Sequence, residues 1–213
     1  STESVLGPQV GDGGVGNTSL IVSYTMNGYP AEHVPTAFDN FTVTVHVDGR
    51  PVQLCDTAGQ DDLECLRPFC YRDADVFLLY YSIIAQSSFH SVRERWTLEV
   101  RRLHPVAPLV LVGTQSDLRD DVQVLMWLAR QQKQPVKVEA RLVSRSLGVS
   151  AFAECSALTQ KNLKAVFDTA IMDSLEHKEE LKGMRQRVML REKTPDKFRQ
   201  LSQTWWRKRS CFM

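Results

Sequence analysis

The sequence predicts an α/β fold with a mostly parallel sheet and helices on both of its faces. Two continuous apolar runs, Val76–Ile84 and Leu109–Val112, have the length typical of buried parallel strands. Amphipathic helical patterns lie between and after these runs. Strands that alternate with helices favour a parallel sheet. The two clearest helical faces comprise Phe89, Val92, Trp96, Val100 and Leu103, and then Leu163, Val166, Phe167, Ala170, Ile171 and Leu175.

The first two elements surround a glycine-rich loop at residues 11–16. Residues 5–10 predict only a short strand, because Gly7 and Pro8 interrupt it and proline removes a donor from a central strand. Thr18–Asn27 predicts a helix, with Gly28 as its C-terminal stop.

A hairpin and a weaker strand complete the sheet. Apolar residues alternate with polar ones over Phe41–Val47, which predicts a half-buried strand. Asp48-Gly49 is a two-residue hairpin signal, and Pro51–Cys55 predicts the returning strand. Phe152–Cys155 predicts the last and weakest strand.

Composition and charge divide the chain in two. The 213 residues are 43% hydrophobic and 24% charged, which excludes a wholly disordered protein. Residues 178–213 hold 11 Lys/Arg against 4 Asp/Glu, a net charge of +7, whereas residues 1–177 hold 15 against 21, a net charge of −6. We therefore predict a globular domain over 1–177 and a basic, aromatic tail over 178–213. Five scattered cysteines form neither a metal motif nor a disulfide framework, and favour a reducing compartment.

The loop from Gly11 to Thr18 matches the phosphate-binding pattern G-x-x-x-x-G-K-[ST] everywhere except at the lysine, where Asn17 stands. Glycines let backbone N–H groups converge on phosphate oxygens, and the helix N-terminus adds its dipole. The hydroxyl of Thr18 is a candidate ligand for Mg²⁺. A tight turn without a ligand would explain the loop alone equally well.

Three further motifs each follow a predicted strand. Asp56 could hold Mg²⁺ through water, Gly59 could donate its N–H to a terminal phosphate, and Gln60 could orient an attacking water. Asp117 could accept two hydrogen bonds from a guanine edge or, instead, cap a helix. Ser156-Ala157 could offer a backbone N–H to the guanine oxygen. Parallel sheets bind ligands where their strands end, so the order of the four motifs indicates one nucleotide site.

With these motifs the sequence resembles the Rho family of small GTPases over residues 11–175, and hence the Ras-like P-loop NTPase fold. The segments 34–41, 56–61, 66–68, 114–119 and 155–163 carry the resemblance. Thr194-Pro195-Asp196-Lys197 and Trp205-Trp206 in the tail, together with Gln115 and Leu158, resemble the atypical Wrch/Chp (Rho U/V) branch.

The resemblance implies a role for each matching position. Thr36 would bind Mg²⁺ and sense the γ-phosphate, Gln60 would position water, and Tyr29 would lie against the guanine. Residues 34–41 would form the effector loop, and residues 121–134 the helix that is inserted in Rho proteins. The implied nucleotide-binding residues are Gly11, Gly13, Gly14, Val15, Gly16, Asn17, Thr18, Ser19, Tyr29, Gly59, Thr114, Gln115, Asp117, Ser156, Ala157 and Leu158, with Thr18, Thr36 and Asp56 at the metal.

The implied function is that of a GTPase switch. It would bind GTP or GDP with Mg²⁺, hydrolyse GTP slowly, and signal to the actin cytoskeleton, cell morphology and adhesion. The implied partners are effectors of the p21-activated-kinase type, exchange factors and GTPase-activating proteins. We expect a monomer without a nucleic-acid partner. The alternative is a nucleotide-poor pseudo-GTPase, acting as a scaffold or as a trap for exchange factors, because Asn17 lacks the lysine's charge. A P-loop kinase or ATPase fits poorly, since the setting of Asp117 favours guanine.

The tail suggests a membrane role. Thr194 and Pro195 begin a predicted short helix, and an aromatic pair precedes the basic cluster 207–209. Prenylation requires a cysteine four residues from the C-terminus, where Ser210 stands, so we expect reversible palmitoylation of Cys211. A disordered basic tail or a nuclear-import-like basic cluster is the alternative. The expected location is the cytoplasm and the cytoplasmic face of the plasma membrane and endomembranes.

Overall fold

A six-stranded sheet organises the fold in the computed structural model, which describes residues 5–28, 41–47, 50–56, 71–136 and 145–192. The strand order is β2-β3-β1-β4-β5-β6. Every neighbouring pair is parallel except β2 and β3, which are antiparallel. The strands are β1 (Val5–Gly11), β2 (Phe41–Val47), β3 (Arg50–Asp56), β4 (Phe77–Ser82), β5 (Leu109–Thr114) and β6 (Ala151–Glu154).

The helices alternate with the strands, as the sequence predicts. A π-helical segment, Val92–Trp96, joins α2 to α3, and a short 3₁₀ turn, Ser116–Leu118, follows β5. The helices are α1 (Asn17–Met26), α2 (Gln86–Ser91), α3 (Thr97–Leu103), α4 (Val122–Arg130) and α5 (Leu163–Glu192).

Two apolar clusters cover opposite faces of the sheet. Side chains alternate along β4, so Leu78 and Tyr80 join one cluster, and Leu79 and Tyr81 join the other. The first cluster includes residues of α1 and of the beginning of α5, and the second includes Val92, Trp96 and Val100. Helices on both faces of a mostly parallel sheet confirm the predicted α/β fold.

The first strand is continuous where the sequence predicts an interruption, and it extends one residue beyond the predicted 5–10. It runs without interruption through Gly7 and Pro8 and lies between β3 and β4. Its pairing with β4 begins only at Gln9, so β1 has a single paired neighbour at Pro8. A residue without an N–H is tolerated there. A side chain at Gly7 would lie 3.3 Å from Leu78 Cδ1, so glycine keeps β1 close to its neighbour.

Several element ends differ from the prediction. Asn27, not Gly28, takes the left-handed conformation that ends α1, with φ at 53°. The predicted insert helix over 121–134 is shorter and spans α4, whose N-cap Asp121 accepts a hydrogen bond from the Val124 N–H at 2.9 Å. The last helix continues to Glu192, beyond the predicted start of the tail at residue 178.

The chain divides into two compact units, Ser1–Leu175 and Glu176–Met213. This division lies two residues before the boundary drawn from the sequence. The predicted short helix that begins at Thr194 lies outside the described residues. None of the helices in the described part of the chain combines the length and the hydrophobicity that a membrane span needs.

Candidate functional site

The glycine-rich loop of residues 11–16, called the phosphate loop below, joins β1 to α1. Its glycines are required for different reasons. Gly14 and Gly16 have φ values of 79° and 89°, which side chains rarely adopt. A side chain at Gly11 would meet the backbone oxygen of Tyr80 at 2.8 Å, so this glycine lets β1 pack against β4. A Cβ at Gly13 would meet no heavy atom of the described residues within 4 Å. Packing among the described residues therefore explains why residue 11 is glycine. It does not explain the glycine at residue 13.

Helix α1 begins where a bound anion would need it. Gly16 precedes the helix and supplies no side-chain cap, and no acidic residue occupies the first turn. Neither the cap residue nor an acidic side chain of the first turn therefore compensates the positive end of the helix dipole. Asn17 is the first helical residue and only 9% exposed, and Thr18 is half-buried beside it.

A pocket of about 180 Å³ lies beside the start of α1. It is smaller than the roughly 300–1,000 Å³ of whole small-molecule sites, so its size suits one part of a larger ligand. Three separate stretches of the sequence meet in it. Its lining residues are Gly16, Ser19, Leu20, Thr114, Gln115, Asp117, Leu118, Ala157 and Leu158.

Side-chain hydrogen bonds tie these stretches together. The hydroxyl of Thr114 is buried and donates to the carbonyl of Val15 at 2.6 Å, which connects the end of β5 to the phosphate loop. The hydroxyl of Ser23 donates to the carbonyl of Ala157 at 2.7 Å, which connects α1 to the loop after β6. The hydroxyl of Ser82 donates to the side-chain oxygen of Gln115. Hydrogen bonds therefore hold together the segments that form the pocket.

A polar cluster supports the pocket from β6. The Arg119 guanidinium lies 2.5 Å from the carboxylate of Glu154 and also donates to the carbonyl of Val136 at 2.7 Å. The Tyr81 hydroxyl donates to the same carboxylate at 3.5 Å. Burial, followed by the charge of Glu154, raises the pKa of Tyr81 above its ordinary value. This cluster connects the segment after Asp117 with the strand that precedes Cys155.

The predicted site residues fall into four groups. Gly16, Ser19, Thr114, Gln115, Asp117, Ala157 and Leu158 line the pocket together, and Gly11, Gly13, Gly14, Val15, Asn17 and Thr18 lie in or next to the phosphate loop. Ser156 is buried behind the pocket, where its hydroxyl accepts from the Thr159 N–H at 3.1 Å. Tyr29, Thr36, Gly59, Gln60 and Cys211 lie outside the described residues.

Asp56 ends β3 and pairs with Gln9 of β1. Its backbone therefore lies beside the strand that leads into the phosphate loop. No group of three His, Cys, Asp or Glu side chains that could hold a metal occurs among the residues described. Magnesium needs no such group, because it is usually held by one or two protein oxygens, water and substrate phosphates. Threonine and aspartate, the residue types at positions 18 and 56, supply such oxygens.

Sequence reasoning missed several residues of this site. Leu20 and Leu118 line the pocket, and both could have been found, since Leu20 is one helical turn beyond Gly16 and Leu118 follows Asp117 directly. The roles of Ser23 and Arg119 depend on contacts between distant segments, for which the sequence carries no local signal.

The Ras family profile matches residues 9–176 of the chain. The chain belongs to the Ras family. It is also 49% identical to the Rho-related GTP-binding proteins RhoV of Bos taurus and Homo sapiens, and 48% identical to that of Rattus norvegicus. Each comparison covers 96% of this chain and 85% of the relative.

Membership of the Ras family, together with these Rho relatives, establishes the general function. The chain is a Rho-type small GTPase that binds guanine nucleotide, hydrolyses GTP and signals through regulators and effectors. The resemblance to the Rho U/V branch is confirmed. The alternative of a nucleotide-poor scaffold is not favoured, because the relatives are GTP-binding proteins.

Proposed function

We propose that the pocket beside α1 takes the guanine and that the phosphate loop takes the phosphates of GTP or GDP. The observation that carries the proposal is the meeting of three sequence stretches, at residues 16–20, 114–118 and 157–158, in one pocket of about 180 Å³. Asp117 lines that pocket and supplies the carboxylate that would accept from the guanine edge. The open space above Gly13 and Gly14 suits a ligand that approaches the backbone.

In this proposal Thr18, Thr36 and Asp56 hold Mg²⁺, which would neutralise charge on the phosphates. The residues of the chain do the rest. The N–H groups of the phosphate loop orient the phosphates, and Gln60 orients the attacking water. Asn17 has no positive charge to stabilise the developing negative charge, so hydrolysis is slow. Binding of GTP orders the loops around Thr36 and Gln60, and hydrolysis releases them.

Nucleotide content and turnover test this proposal. Purified protein should release about one equivalent of guanine nucleotide on denaturation, identified by chromatography, and should produce phosphate slowly from added GTP. Chelation of Mg²⁺ should weaken binding. Asp117→Asn removes the carboxylate charge at nearly constant size, so GTP affinity should fall at least tenfold, since a hydrogen bond to a charged group contributes about 1.5–3 kcal/mol.

A protein that carries no nucleotide and cannot be loaded with GTP would refute the proposal. An Asp117→Asn variant that binds GTP as tightly as the parent would refute the placement of the guanine while leaving the GTPase activity in place. ATP in place of GTP serves as the control for base selectivity.

We further propose that the GTP-bound form acts on effectors of the p21-activated-kinase type through residues 34–41, and so on the actin cytoskeleton, cell morphology and adhesion. The support is the sequence resemblance to the Rho family at those positions. Binding of a purified kinase fragment should require GTP rather than GDP. Equal binding of both forms would argue against a switch.

We also propose that the tail holds the protein at the cytoplasmic face of the plasma membrane and endomembranes. The support is its net charge of +7, its aromatic pair and Cys211. One acyl chain anchors only marginally, so the charged residues would add the second attraction. Cys211→Ser should move most of the full-length protein from the membrane fraction into the cytosol. The matched control Ser210→Ala should leave it in place, and unchanged membrane binding of Cys211→Ser would contradict palmitoylation.

A further inference from the structure

We propose that Trp96 is a positioning residue for the phosphate loop, and that it acts through a hydrogen bond to Asp12. The indole N–H of Trp96 donates to Oδ1 of Asp12 at 2.8 Å. Asp12 is the first residue of the loop after β1 and directly precedes Gly13. The inference rests on the proposed binding of the nucleotide phosphates by this loop.

Trp96 is the last residue of an uncommon backbone feature. Residues 92–96 form a π-helical turn, and the Thr97 N–H donates to the carbonyl of Val92, five residues earlier. The Thr97 hydroxyl donates to the same carbonyl at 2.7 Å. A π turn holds about one residue more than an α turn, so it rotates the following side chains by about 100°. Turns of this kind occur frequently at functional sites.

Trp96 is a rigid anchor. Its side chain is 0% exposed and belongs to the same apolar cluster as Val10 and Tyr81. The Arg95 guanidinium lies over its ring, 4.4 Å from the ring centre. Since a buried, packed indole has little freedom to move, a hydrogen bond from it fixes the position of its acceptor.

The phosphate loop needs such an anchor because its glycines have no side chains with which to pack. Thr114 forms a hydrogen bond with Val15 near the C-terminal end of the loop, and Trp96 forms one with Asp12 at its N-terminal end. Trp96 lies in the cluster on one face of the sheet, whereas Leu20 and Ile21 of α1 lie in the cluster on the other face. The Trp96 bond therefore connects the loop to the cluster on the face opposite α1. Because Asn17 has no charge, we expect phosphate binding by this loop to depend more on how well its backbone N–H groups are positioned.

A double-mutant cycle on the full-length protein tests the proposal. Trp96→Phe keeps an aromatic ring and removes the N–H, and Asp12→Ala removes the acceptor. Each should speed the dissociation of a fluorescent GDP roughly tenfold, since the bond is charge-assisted. The double variant should dissociate no faster than the faster single variant, because both remove the same bond. Asp12→Asn keeps an acceptor oxygen and should stay within about threefold of the parent. Trp127→Phe, at an exposed tryptophan of α4, is the matched control and should change nothing.

Several results would overturn the proposal. A purely structural role for Trp96 would lower the free energy of unfolding of the nucleotide-free protein while leaving dissociation unchanged. Independent effects in the double variant would show that the two residues do not act through one bond. If Trp96→Phe fails to fold, the dissociation rates of Asp12→Ala and Asp12→Asn still test the proposal, because Asp12 lies on a partly exposed loop where substitution should not prevent folding.

The hydrogen bond can also be tested without nucleotide. Exchange of the Trp96 indole N–H with D₂O, followed by NMR, should be slow in the parent and at least tenfold faster in Asp12→Ala. Equal exchange in both proteins would overturn the proposed bond. A parent protein that shows the protected N–H but binds no nucleotide would instead refute the proposed function, so the two failures are distinguishable.

Discussion

In the proposed site, Asn17 lacks the positive charge with which a lysine would hold phosphate. It occupies the lysine position of the phosphate-loop pattern and is 9% exposed at the first position of α1. A lysine ammonium buried there would depend on the phosphates as partners, because an unpaired buried charge is costly. The neutral amide of asparagine does not carry that penalty. We therefore expect asparagine at this position to weaken nucleotide binding and, at the same time, to make the loop less dependent on a bound anion.

Asn17→Lys should separate these two effects. We expect GTP and GDP affinity to rise at least tenfold, since a charge-assisted contact contributes about 1.5–3 kcal/mol, and GTP hydrolysis to become faster. The nucleotide-free protein should become less stable, because the new ammonium then lacks a partner. Nucleotide titration and urea unfolding with and without GDP measure both quantities.

Asn17→Met is the matched control for Asn17→Lys. It adds a side chain of similar length without the charge and should give no gain in affinity. An equal gain from methionine would show that length rather than charge limits binding, and no gain from lysine would show that the loop cannot present a cation to the phosphates.

At the scale of helices and strands, the sequence predicted what depends on periodicity and missed what depends on neighbours. The strands β4 and β5 were predicted because both are buried on both faces and read as continuous apolar runs. The continuity of β1 through Pro8 was missed because the tolerance of this proline depends on where pairing with β4 begins. The π turn at Trp96 was missed because the apolar spacing of residues 89–103 fits an ordinary helix equally well.

The strands β4, β5 and β6 pack closely at Gly113 of β5. This glycine pairs with Tyr81 on one side and Glu154 on the other. A Cβ there would lie 2.7 Å from the Tyr81 hydroxyl oxygen and 3.1 Å from Cγ of Glu154. We therefore expect Gly113→Ala to lower the free energy of unfolding by roughly 1–3 kcal/mol, measured by urea denaturation.

Tyr81→Phe should relieve part of that cost. It removes the hydroxyl that the new methyl group would meet, although the ring carbon Cζ at 2.9 Å remains close. Gly113→Ala should thus be less destabilising in the Tyr81→Phe background than in the parent. Gly183→Ala, in the last helix with open space around it, is the control and should stabilise the protein by about 0.5–1 kcal/mol. Equal costs of Gly113→Ala in both backgrounds would contradict the proposed crowding.

At the scale of the whole molecule, the site is assembled from segments that are far apart in the sequence. Three of the four motifs were correctly predicted to meet, because the ends of parallel strands share one edge of the sheet. The motif at 56–60 lies outside the described residues beyond Asp56. The bonds that fix the other three motifs could not be predicted, since Thr114 reaches Val15 and Ser23 reaches Ala157 only through the fold. The loops that carry Thr36 and Gln60 lie outside the described residues, so their roles stay predictions.

Two buried groups next to this site make the stability of the whole protein sensitive to alkaline pH. Burial, followed by the charge of Glu154, raises the pKa of Cys155 from 9.0 to about 12. The pKa of Tyr81 is raised above its ordinary 10.0 for the same two reasons. The folded protein therefore keeps both protons at a pH where the unfolded chain has released them. The stability that these groups contribute is complete below about pH 9 and is lost as the pH rises towards 12.

The free energy of unfolding should fall above pH 9 by up to about 1.4 kcal/mol per pH unit for the Cys155 proton, with Tyr81 adding to the slope above pH 10. Urea denaturation under reducing conditions between pH 8 and 11 measures this slope. Cys155→Ala should start from a lower plateau, because it leaves a small cavity, but should lose stability less steeply between pH 9 and 10. For Tyr81→Phe, the free energy of unfolding should fall with pH as steeply as in the parent between pH 9 and 10. Above pH 10 it should fall less steeply than in the parent. Parallel curves for the parent and Cys155→Ala would show that the thiol releases its proton equally readily in the folded and unfolded protein.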